Sequence, residues 1–236
     1  MSHLKTELVP GIYFSPGFYQ RFWQSSIIGQ FDGKTVLSHV KLKPYREVWI
    51  GSILAASQTK ITGNEHYVGL PPTEPPDVEI IARVPTKTPS GKPATNLNRM
   101  PVEITRSDLD QGETILGQIK RKNTDAYKGM VLVVYAYGGD NPTDFEAIRK
   151  ELNTWNVKPA SILEIGSVHR SEHGIIIPNG TFSVTRLYPS KSQNLVNLSD
   201  QKAFHYKPEM IRQEKRGVNP DLYEMGLLEL MPPKLK

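Results

Sequence analysis

PDVEIIARV (76–84) and PVEITR (101–106), separated by the polar stretch PTKTPSGKPATNLNRM (85–100), are the segments on which the fold turns. Both are short, rich in β-branched residues and edged by proline or asparagine, so each reads as a strand. HYVGL (66–70) reads as a third strand just upstream. The stretch between the last two is rich in Pro, Thr and Lys, and reads as an exposed, mobile loop.

Working outward, Pro44 suits the first turn of a helix carrying YREVWIGSILAASQTK (45–60), which stops before Gly63. Its apolar residues lie on most sides, so it is expected to be largely buried. Downstream, residues 110–128 carry Ile115, Ile119 and Ala126 on one stripe, followed by Lys120, Arg121 and Lys122, with Gly129 as the C-terminal cap. MVLVVYAY (130–137) is a nearly continuous apolar run, as in a strand covered on both faces. A third helix over TDFEAIRKELNTW (143–155), after a turn at Asn141-Pro142, and a strand over SILEIGSV (161–168) complete the order helix, three strands, helix, strand, helix, strand.

On either side the pattern is less regular. Asp32-Gly33 between two apolar runs predicts a β-hairpin, making residues 1–43 a β-rich extension of the core at 44–168. Residues 169–236 hold GIIIP (174–178) and TFSVTRLY (181–188) around Asn179-Gly180, a second hairpin signal, then a tail with Lys202, Lys207, Arg212, Lys215 and Arg216. This C-terminal part is expected to pack on the same domain.

The 236 residues include no cysteine, which excludes a disulfide framework, a thiol nucleophile and thiolate zinc sites. Any metal must sit on oxygen or imidazole. Lys and Arg number 29 against 24 Asp and Glu, a formal charge of +5 that suits a polyanionic partner without demanding one. No signal-peptide stretch opens the chain and no run reaches membrane-spanning length, so the expectation is a cytoplasmic protein without a membrane partner.

Alternation along a strand puts Asp77 and Glu79 on one face, and Glu103 and Thr105 on one face of theirs. Two adjacent strands can then aim Asp77 and Glu103 at one point. Mg²⁺ or Mn²⁺ takes such carboxylate oxygens plus waters, and a phosphate oxygen can complete its shell. A metal so held activates water for attack on phosphorus.

The αβββαβ order, the Pro76-Asp77 dipeptide and Glu103-Ile104-Thr105 resemble the PD-(D/E)XK nuclease superfamily over about 125 residues. The resemblance implies a restriction-endonuclease-like α/β core, with a mixed central sheet flanked by helices and β extensions at both ends. It implies Asp77 and Glu103 as metal ligands, the Ile104 carbonyl as a further one, and Glu47 of the first helix assisting. Thr105 stands where the family has its catalytic lysine, and Arg106 points to the opposite strand face. Some members carry that lysine on the following helix, which makes Lys122 the candidate, with Lys120 behind it. Gln118 and Lys122, four apart, share one helical face with Ile115 and loosely match the family's helical Gln-x-x-x-Tyr element.

The implied activity is Mg²⁺-dependent hydrolysis of DNA, or less readily RNA, by a chain that acts alone, as a homodimer or within a larger assembly. Lys120, Arg121 and Lys122, with Lys87, Lys92 and Arg99 of the long loop, are the candidate phosphate contacts. A nuclease-like module that binds nucleic acid or protein without cutting is the alternative, and an α/β small-molecule enzyme using the Gly138-Gly139-Asp140 turn is a third reading. The bland readings are a solvated basic helix face and a Glu47 paired with neighbours on the helix surface. Gly29 to Thr35 lacks P-loop spacing and reads as a turn, and His169 and His173 read as loop residues rather than metal ligands.

Overall fold

The computed structural model describes residues 4–6, 8–138, 143–167, 181–197, 210–212, 221–223, 228–230 and 233–235. The chain begins with β1 (Leu4–Thr6), β2 (Ile12–Phe14), α1 (Pro16–Phe22), a π-helical segment Trp23–Ile28, α2 (Gly33–Ser38) and α3 (Lys43–Thr62). It continues with β3 (Glu65–Gly69), β4 (Val78–Lys87), β5 (Pro93–Asp108), α4 (Ile115–Lys122), β6 (Val131–Tyr137), α5 (Phe145–Leu152) and β7 (Ser161–Ser167). Then come β8 (Thr181–Tyr188), β9 (Ser192–Asn197), β10 (Met210–Arg212), β11 (Asp221–Tyr223) and β12 (Leu228–Leu230). This α/β chain forms two compact units, residues 1–100 with 198–236, and residues 101–197.

In the first unit the strands run β11-β10-β2-β3-β4, each pair antiparallel, and β1 pairs separately with β12. Helix α3 packs on this sheet, and its Val48, Ile50 and Leu54 are all fully buried. Gly63 closes it with a left-handed φ of 73°, a conformation that costs glycine little. The close approach depends on Gly51, where a Cβ would lie 2.8 Å from a Val68 methyl and 3.1 Å from a Val78 methyl. Gly51→Val is expected to push α3 off the sheet and cost about 1–3 kcal/mol, read as a lower midpoint in urea.

The N-terminal hairpin expected at Asp32-Gly33 is not formed. Asp32 is instead the N-cap of α2, its Oδ1 accepting from the Thr35 amide at 3.0 Å, and residues 16–42 are mostly helical. Asp and Gly serve a cap as well as a turn, and here the apolar partners Phe22, Trp23 and Ile27 are buried from helical positions. Trp23 stacks on Trp49 of α3 with centroids 5.0 Å apart, and the Trp49 indole donates to Gln20 at 3.1 Å.

The loop expected over residues 85–100 is also a different object. β4 runs to Lys87 and β5 starts at Pro93, so only residues 88–92 turn, and the rest is a protruding two-stranded ribbon. Thr88 and Lys92 close the turn with a backbone bond of 2.9 Å. Local polarity is a poor guide where the ladder itself supplies the backbone hydrogen bonds.

In the second unit β5, β6 and β7 are parallel, and β8 and β9 continue antiparallel. β6 is buried along its middle, as its unbroken apolar run predicts. Ile115 and Ile119 of α4 and Ile148 and Leu152 of α5 cover Leu132, Val134, Ala136 and Ile162 on one face. The helix expected to reach residue 128 stops at Lys122, and Ala126 falls in a 3-10 turn, so it joins no stripe with Ile115 and Ile119. Thr114 caps α4 through the Gly117 amide at 3.0 Å.

Asn141-Pro142, Gly139-Asp140, His169, His173, the GIIIP strand, Asn179-Gly180 and the tail residues Lys202, Lys207, Lys215 and Arg216 lie outside the described residues. No helix among the described residues is long and apolar enough to cross a membrane.

Candidate functional site

In the first unit one ammonium holds two carboxylates. Lys43 Nζ lies 3.2 Å from Glu47 Oε1, one helical turn on, and 3.1 Å from Asp77 Oδ1, just before β4 begins. Glu47 is not the surface residue its neighbours suggest, being 7% exposed. Burial, then the Asp77 charge, pushes its pKa up to about 7 against the pull of Lys43. The Lys43 ammonium is itself disfavoured by partial burial, but the two carboxylates outweigh that and hold its pKa above the ordinary lysine value.

Asp77 and Glu79 do not share a face as strand alternation predicts. Glu79 lies in the ladder opposite Gly69, and accepts from the Tyr13 hydroxyl and from Arg99 Nη1 at 2.5 Å, beside the cluster of Tyr13, Tyr67, Ile81 and Leu97. Asp77 precedes the first strand residue, Val78, so it lies outside the pleat and bonds to Lys43 of α3. Arg99, a candidate phosphate contact, is committed to Glu79.

The second unit holds Glu103 with the helix that follows it. Lys122 Nζ donates to Glu103 Oε1 at 2.6 Å and to the Tyr127 hydroxyl at 3.2 Å, and lies 4.7 Å from the Tyr127 ring centroid. The Glu103 side chain is only 5% exposed. Burial works against the Lys122 charge, but its bonds to Glu103 and Tyr127 prevail and its pKa is raised. Gln118, one turn earlier, accepts from the buried Thr105 hydroxyl at 2.9 Å and from Arg121. The Gln118 and Lys122 face of α4 thus reaches β5 at Thr105 and Glu103. Lys120 and Arg121 are exposed, the Ile104 side chain is 6% exposed in the sheet, and Lys87 and Lys92 lie exposed on the ribbon.

Among the described residues no three His, Asp or Glu side chains converge as a metal cage. The Glu47 and Asp77 oxygens nevertheless suit Mg²⁺, which commonly takes one or two carboxylates and completes its shell with water and phosphate. A half-exposed lysine stands between them and can swing outward on its flexible stem.

Lys43 and Tyr127 were not among the residues the sequence singled out. The i,i+4 spacing of Lys43 and Glu47 is a legible signal, whereas nothing local points to Tyr127. No protein-family model, curated protein or solved structure matches the chain.

Proposed function

We propose that the chain is a Mg²⁺-dependent nuclease that hydrolyses DNA phosphodiester bonds, built on a restriction-endonuclease-like core. The observation that carries this reading is the Glu47 and Asp77 pair, two mostly buried carboxylates gathered on one ammonium. Burial, and then the Asp77 charge, raise the Glu47 pKa, and a bound divalent cation would offset both. The succession α3, β3, β4, β5, α4, β6, with β6 parallel to β5, supports the core.

In this reading Mg²⁺, when bound, supplies an activated water and offsets charge on the phosphoryl oxygens. Glu47 and Asp77 would hold the ion, in place of the Lys43 ammonium that they hold here. In the second unit Lys122 is kept protonated by its bonds to Glu103 and Tyr127, a lysine carried on the helix after the strand where Thr105 stands. Glu103 orients it.

One observation favours a second reading, a module that binds nucleic acid without cutting. Thr105 is buried and spends its hydroxyl on Gln118, so the position the family uses for catalysis is occupied by a structural hydrogen bond.

Cleavage of plasmid DNA with Mg²⁺ or Mn²⁺, alongside calorimetric Mn²⁺ titration, separates the two. Wild type is expected to bind Mn²⁺ and cut, and Asp77→Asn and Glu47→Gln to lose both, with cleavage down by roughly 10²-fold or more. Metal and DNA binding without cleavage would establish the second reading. No Mn²⁺ uptake at millimolar concentration would remove the basis of the first.

A further inference from the structure

Nothing acidic occurs between Glu79 and Glu103, and that stretch carries Arg83, Lys87, Lys92 and Arg99. All four lie on the ribbon of β4 and β5 and its turn. Its base is anchored: Leu97 packs on Tyr13, Tyr67 and Ile81, Arg83 donates to Glu65 at 2.6 Å and Arg99 to Glu79 at 2.5 Å. The two arginines therefore have their counter-charges within the unit. Lys87 and Lys92, on either side of the tip, are exposed, as are Thr95, Asn96 and Asn98 along the outer strand.

We propose that this ribbon is an arm that enters the major groove of duplex DNA, with Lys87 and Lys92 contacting phosphates at the groove walls. It rests on the nucleic-acid reading above and adds the form of the substrate. The dimensions decide for this partner. A two-stranded ribbon fits a B-DNA major groove about 12 Å wide and 8.5 Å deep. Beyond the anchored row the arm projects five or six residues, a reach of about 15–20 Å at 3.3 Å per residue, enough to span that depth. Duplex RNA presents a deep, narrow major groove that side chains cannot read, so the same arm is excluded from it. Paired arginines at the base and free lysines at the tip place the usable charge where the groove would be.

The test is fluorescence anisotropy of a labelled 20-base-pair DNA duplex and of the RNA duplex of the same sequence, in EDTA so that no cutting intervenes. Wild type is expected to prefer DNA by about tenfold or more, since only its groove admits the arm. Lys87→Gln/Lys92→Gln should weaken DNA binding by about tenfold or more and reduce the slope of log K against log salt by about 2. A second variant replacing Thr88 to Lys92 by Asn-Gly shortens the arm while keeping a hairpin turn, and should show the same loss with an unchanged thermal midpoint. Equal affinity for the RNA duplex, no DNA binding by wild type, or lysine variants that bind DNA like wild type would each overturn the proposal. Arm-dependent binding without cleavage in Mg²⁺ would leave it standing and remove the nuclease reading. Cleavage with arm-independent binding would do the reverse.

Discussion

Glu164→Gln is expected to abolish most of a steady loss of stability that the wild-type protein undergoes as pH rises from about 4.5 to 8. Glu164 sits in the middle of β7, 4% exposed, with Oε2 making no hydrogen bond among the described residues. It stands in register with Val134 of β6 and Thr185 of β8, and its carboxyl fills the space where a Cβ at Gly166 would be. Burial alone pushes its pKa up to about 8. A carboxyl with a raised folded-state pKa takes up a proton on folding. The stabilisation is therefore complete below the unfolded pKa, falls through the interval, and is gone above the folded pKa. At about 1.4 kcal/mol per unit, the range of the effect is on the order of 3–5 kcal/mol. Urea midpoints at several pH values should decline for wild type and stay nearly level for the variant. Glu47, raised in the same direction, leaves a smaller residual slope. Parallel pH profiles for the two proteins would mean that Glu164 is hydrogen-bonded and ionised.

Lys122→Met should destabilise the second unit by roughly 2–3 kcal/mol, because it strips the ammonium from a carboxylate that water barely reaches. Removing one partner of such a pair costs more than removing both. Hence Glu103→Gln/Lys122→Met should recover most of the loss, and a double-mutant cycle on urea midpoints measures the coupling. In the nuclease reading the double variant regains stability and still fails to cut DNA. A double variant as unstable as the single one would mean that Lys122 contributes by packing on Tyr127 rather than by charge.

The lysine pairs on the two units were legible to different degrees. Gln118 and Lys122 are read from helical spacing alone, since 3.6 residues per turn fixes which side chains share a face wherever the helix packs. Lys43 and Glu47 carry the same kind of signal. Asp77 could be assigned to a strand start but not to a face, because alternation holds only inside the ladder and Asp77 lies one residue outside it. Glu164 interrupts the otherwise apolar SILEIGS, which marks it as unusual without saying whether a partner awaits it.

By itself the sequence determined the core elements whose signals are local. Pro44 and Gly63 bound α3 because one fits a first helical turn and the other a left-handed cap. The unbroken run in β6 requires cover on both faces, and strands at β3, β4, β5 and β7 follow from their β-branched runs. Only the tertiary structure decided that Asp32 caps a helix instead of turning a hairpin, and that residues 85–100 are mostly ribbon instead of loop. It alone placed Lys43 between two carboxylates, Glu79 on Tyr13 and Arg99, and Glu164 with Oε2 unbonded among the described residues. The Asp32 cap is a local bond, chosen over a turn because Phe22, Trp23 and Ile27 are buried from helical positions, whereas for the ribbon, Asp77 and Glu79 the reason is longer-range. A backbone ladder or an ion pair is made with residues distant along the chain, and their energy depends on burial that no local window contains.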